Sequence, residues 1–108
     1  MLLVDGGLVE NLPVAVVRAM GVDVVVAVDV NPACRVPRKP TNFRELMEST
    51  MDIMSRSNKA VSRHDADFLV QPGTEKFGTW DFGRIDAIID AGREAALVVL
   101  PDVLAVLG

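Results

Sequence analysis

The chain reads as α/β: a partial parallel sheet of about three short strands, with helices between them. Three observations predict it. "VDVVVAVDV" (22–30) is a near-continuous β-branched run without alternation, the pattern of a strand covered on both faces. Shorter apolar runs at 2–5 and 66–72 stop at turn residues. Helical spacing occupies the intervals, and a strand–helix–strand order makes a βαβ unit with a right-handed crossover.

Taken in order, residues 2–5 form a strand ending at Asp5, and Gly6 and Gly7 then free the backbone to bend. A helix follows from Pro13 to Met20. Proline suits a first helical turn, Asn11 or Leu12 is the N-cap, and Gly21 is the stop. Asp23 opens the 22–30 strand, and Asp29 sits near its end, where hydrogen bonds from backbone are expected to satisfy it. Residues 31–41 hold three of the six prolines and read as an exposed loop.

A long helix starts at Asn42, with Glu45 completing a capping box, and ends near His64. Phe43, Leu46, Met47, Thr50, Met54 and Val61 follow its spacing and are expected to be buried. "ADFLVQP" (66–72) is the third strand. After the "EKFGTWDFG" loop, Thr79 or Asp81 caps a last helix, with Ile85, Ile88, Ile89, Ala96 and Val99 as its apolar stripe. Gly92 falls on that stripe, which suggests a close packing contact. Pro101 is expected to break this helix, leaving one short turn in "PDVLAVL".

Bulk properties bound the function. At 108 residues the chain fits one domain at most, and 50% hydrophobic with 24% charged residues is a globular balance. A net charge of −4 gives no basic footprint for nucleic acid. Cys34 is the single cysteine, so no internal disulfide forms, and it has no partner for metal or redox chemistry. No cofactor or metal is expected. The longest apolar runs carry Asp23 and Asp29, or Pro101 and Asp102, and fall short of a membrane span. Met1 opens directly on a strand-like run without a signal peptide, so a cytoplasmic or membrane-peripheral location is expected.

"LVDGGLVENLPV" followed by a helix and "DVVVAVDVNP" resembles the C-terminal half of bacterial patatin-like phospholipases, which are serine lipid acyl hydrolases. "DFLVQP" and "FGTWDFGRIDAIIDAGREAA" resemble that family's closing strand, loop and helix, so the resemblance covers nearly the whole chain. Its most specific part is the spacing of Asp5, Gly6, Gly7, Asn11 and Pro13. The resemblance implies a Ser–Asp dyad with Asp5 as its base, within part of a three-layer α/β/α fold. Gly6, Gly7 and Asn11 would support the active-site loop. On spacing alone, Asp5 is a turn aspartate and Asn11 a helix cap.

One departure from the family is decisive. Ser49, Ser55, Ser57 and Ser62 all fall in the long helix, and none lies in the G-x-S-x-G elbow that would carry the nucleophile. No Gly-rich oxyanion loop is present either. Residues 1–108 are therefore expected to be the C-terminal portion of a patatin-like domain, inactive alone and acting on a lipid or ester substrate through a missing N-terminal half. The alternative is a non-enzymatic α/β binding or assembly module.

Other candidates have ordinary accounts. His64, the only histidine, would join Asp5 or Asp29 in a triad, but at a helix end it reads as exposed and favourable to the helix dipole. Met47, Met51 and Met54 would line an acyl tunnel or pack a core. Trp80 and Phe82 would touch lipid or anchor their loop. Arg35, Arg38, Lys39 and Arg44, with Arg56, Lys59 and Arg63 along one helix face, would attract an anionic membrane surface, or would form a solvated face. Exposed sheet edges are expected to favour self-association.

Overall fold

The computed structural model describes residues 1–30, 39–78 and 80–108. The architecture is α/β, as expected. Its order is a 3-10 turn (Gly6–Leu8), α1 (Val14–Ala19), β1 (Val26–Val28), α2 (Phe43–Asp65), β2 (Phe68–Val70), a second 3-10 turn (Phe82–Arg84) and α3 (Ile85–Leu107). β1 and β2 pair in parallel, Val26 opposite Phe68 and Val28 opposite Val70. The βαβ unit is thus β1–α2–β2, not one built on residues 2–5.

Among the described residues the sheet has two strands rather than three. Residues 2–5 form no strand; Leu2 is 94% exposed and Leu3 74%. An apolar run pairs only where a neighbouring edge meets it, and among the described residues no strand lies beside this one. The 22–30 run contracts to Val26–Val28, and its faces differ. Val25, Ala27 and Asp29 are buried, while Val26, Val28 and Val30 are open. Leu12, Val14, Val25 and Ala27 form the core, flanked by Val17, Ala66 and Leu69.

Local chemistry sets the helix ends. α1 has Pro13 at its N-cap with no side-chain cap, so neither Asn11 nor Leu12 caps it. Gly21 ends it at φ +86, a left-handed position that glycine adopts without steric cost. α2 starts as expected. The Asn42 carboxamide oxygen accepts from the Glu45 amide at 2.9 Å, and the Glu45 carboxylate reaches back to the Thr41 amide at 2.7 Å.

The buried face of α2 is the reverse of the expected one. Ser55, Lys59 and Ser62 are buried, whereas Phe43, Leu46, Met47, Met51, Met54 and Val61 are exposed and Thr50 lies with them. The three methionines therefore pack no core.

α3 runs through Pro101 to Leu107 instead of breaking there. It lies against β2 with Ile88, Gly92 and Val99 half-buried, while Ile85, Ile89 and Ala96 are exposed. A methyl group built on Gly92 meets nothing within 4 Å, so no close contact explains that glycine. Of the two proposed caps for α3, Thr79 lies outside the described residues; Asp81 instead precedes the second 3-10 turn and holds Arg84. Trp80 and Phe82 touch edge-to-face at 6.3 Å but stay exposed. Phe77 anchors the loop in their place, buried beneath the Arg84 guanidinium at 4.8 Å.

Candidate functional site

Asp5 stands where an extended segment (φ −62, ψ 130) enters the first 3-10 turn. Its Oδ1 accepts from the Gly7 amide at 2.7 Å, and its side chain is exposed. Among the described residues Oδ2 has no protein partner. One carboxylate oxygen is therefore fixed by the turn and the other faces outward, where a proton donor can approach.

Gly7 makes this approach sterically possible. A Cβ there would sit 3.0 Å from Asp5 Oδ1 and 3.5 Å from Asn11 Oδ1. Gly6 has open space around it, so its lack of a side chain is not needed for packing. Asn11 is half-buried, and its Nδ2 donates to Ser55 Oγ on α2. The turn packs against α2, which brings Asp5, Gly7, Asn11 and Ser55 into one neighbourhood.

Among the described residues, two side chains on α2 hold the Asp29 carboxylate. Lys59 Nζ donates to Oδ1 at 2.8 Å, and Arg63 Nε donates to Oδ2 at 2.9 Å with Nη2 on the same oxygen. The Asp29 side chain is 1% exposed and that of Lys59 5%. Lys59 is therefore buried and Arg63 half-buried against Asp29, so neither shares the full exposure of Arg56. Arg56 and Lys39 are exposed, and Arg44 pairs with Glu48 at 3.3 Å. Cys34, Arg35 and Arg38 lie outside the described residues. His64 is exposed in the last turn of α2, and Asp23 is exposed ahead of β1.

A second clasp was not foreseen from sequence. Asp67 Oδ2 accepts from the Val25 amide at 2.8 Å and from Arg18 Nη2 at 2.7 Å. The Val25 amide, then the Arg18 guanidinium, hold the Asp67 carboxyl below its ordinary value. Arg84 does the same for Asp81. A signal for the inward polar face did exist: Ser49, Asp52, Ser55, Lys59 and Ser62 recur every three or four residues.

Among the described residues no three histidine, cysteine, aspartate or glutamate side chains gather as a metal site. No described helix is long and apolar enough to cross a membrane.

No protein-family profile matches the chain. Among curated proteins it is 27% identical to Lysophospholipase NTE1 of Pyricularia oryzae over 92% of its own length, and 33% identical to Lysophospholipase NTE1 of Mycosarcoma maydis over 92%. It is 27% identical to Patatin-like phospholipase domain-containing protein 7 of Rattus norvegicus over 86%. These relatives are fungal and mammalian, so they do not bear on the bacterial character of the resemblance. The chain spans only 8%, 7% and 9% of their respective lengths. It is similar, over most of its own residues, to a short portion of patatin-like phospholipases and lysophospholipases.

Proposed function

We propose that this chain carries the base of a Ser–Asp dyad, Asp5, in a serine hydrolase acting on lipid or other carboxylic esters. The nucleophile and oxyanion loop would come from a segment outside these 108 residues. The observation that carries this reading is the Asp5 carboxylate itself, tied through Oδ1 to Gly7 with Oδ2 left outward. The similarity to lysophospholipases supports the substrate class. The open valines of β1 and the exposed run 1–4 support a sheet and a layer that continue beyond this chain.

A serine hydroxyl attacks an ester only as its proton leaves. Asp5 Oδ2 accepts that proton as serine Oγ bonds to the carbonyl carbon. The same proton then passes to the departing alcohol oxygen as the ester bond breaks, leaving an acyl-enzyme. Water repeats the sequence and releases the fatty acid. Asp5 acts without an intervening imidazole, and His64 takes no part.

The test joins this chain to a nucleophile-bearing segment and follows release of p-nitrophenol from acyl esters. Asp5→Asn lowers turnover by about 10²–10⁴-fold, while His64→Ala retains it. The 108 residues alone release none. A folded His64→Ala variant without turnover replaces the dyad with a triad and overturns the assignment.

A further inference from the structure

We infer that Ser55 is a positioning residue for Asp5, acting through Asn11 and Gly7. The inference rests on the dyad reading and assigns the element that holds its base. Asp5 and Gly7 lie in a short 3-10 turn with no buried residue, so the turn has no apolar anchor of its own. Among the described residues, the side-chain bonds that hold it are the Gly7 amide to Asp5 within it, and Asn11 to Ser55 just beyond it. That second bond joins residues 44 positions apart and ties the loop to a long helix.

The helix is itself fixed. Four residues after Ser55, on the same face, Lys59 bonds Asp29 at the end of β1, and Arg63 repeats the contact one turn later. The rigid path runs from the β1 tip through α2 to Ser55, then to Asn11. Asn11 follows the turn directly: the Glu10 amide donates to the Gly6 carbonyl at 2.8 Å and the Leu8 amide to the Asp5 carbonyl at 3.2 Å, so an anchor at Asn11 is passed through the backbone to Gly7. Gly7 presents the amide that orients Asp5. Ser55 is buried and touches no substrate; its role is to fix the carboxylate at the angle the serine proton requires.

The experiment uses both the joined hydrolase and the 108-residue chain. In the hydrolase, Ser55→Ala lowers kcat roughly ten- to hundredfold, the cost of misplacing a reacting group by about 1 Å, while KM stays within about twofold. Asn11→Ala gives the same loss, and the double variant loses no more than either single, because both remove one contact. Ser55→Thr keeps the hydroxyl and restores kcat. In the chain alone, Ser55→Ala speeds hydrogen exchange at the Gly7 amide about fivefold or more. Exchange at the Asp29 amide, which donates to Val70 in the sheet, stays unchanged.

Wild-type kcat in Ser55→Ala, additive losses in the double variant, or an unchanged Gly7 amide each overturns the positioning role. Asp5→Asn is measured alongside. If it retains turnover, the dyad reading itself falls; if it is inactive while Ser55→Ala is fully active, only the positioning inference falls.

Discussion

Removing the charge of Asp29 should be the most damaging single change to this fold. Asp29→Asn keeps the shape and deletes the anion that faces Lys59 and Arg63. The Asp29 side chain is 1% exposed and Lys59 5%, so water cannot replace the lost partner; Arg63, at 26%, is partly hydrated and suffers less. Breaking a buried pair from one side costs about 3–5 kcal/mol, against a total stability of about 5–15 kcal/mol for a domain. Lys59→Met is milder. It keeps the aliphatic stem and leaves Asp29 with both Arg63 nitrogens, so its cost is that of a lost charged hydrogen bond, about 1.5–3 kcal/mol. Urea unfolding followed by circular dichroism separates them. With m near 2 kcal/mol/M, Asp29→Asn moves the midpoint down by about 2 M and Lys59→Met by about 1 M. Equal shifts, or a larger one for Lys59→Met, would refute the view that one carboxylate serves two cations.

Two further outcomes follow from the same structure. The Asp67 carboxyl is held below 3.8 in the folded chain, so its contribution is present above that value and lost as pH falls through the folded one; melts between pH 2 and 6 should show Asp67→Asn flattening the acid limb of the stability curve. The chain should also self-associate. Its accessible surface is 8173 Å², against about 5,800 Å² for a folded monomer of this mass; light scattering should report species above monomer mass, and a Leu46→Glu/Met54→Glu variant should lower that mass, whereas a monodisperse monomer contradicts the expectation.

The α/β class, the span of α2 and its Asn42 cap were legible because each is a local matter. The cap needs only Asn42 and Glu45 within one turn, and β2 needs only an apolar run stopped by a turn. The 2–5 run was misread because a strand is a relation between segments, and no local pattern states whether a neighbour is there. Pro101 was misread for the opposite reason. A proline costs a helix about 3 kcal/mol, but six residues follow it within α3, Leu104, Ala105 and Leu107 among them, and the helix continues. Asp5, Gly7 and Asn11 were grouped by the family resemblance rather than by spacing alone, and the partner of Asn11 was not legible at all, because Ser55 lies 44 residues away.

The reversed face of α2 carries the larger physical lesson. Apolar periodicity predicts burial only when the polar alternative is costly inside. Here it is not: Ser55 bonds Asn11, Lys59 bonds Asp29, and among the described residues no buried side-chain polar atom lacks a partner. Satisfied polar groups remove most of the penalty for placing them inward. What this leaves outside is a row of large apolar side chains, Phe43, Leu46, Met47, Met51, Met54 and Val61, in contact with water. At about 25 cal/mol per Å² such surface is a standing drive toward contact. The bonds that fix α2 inward also fix the Asn11 end of the Asp5 turn. The polar interior that costs this chain its apolar cover is therefore the same device that holds its carboxylate in place.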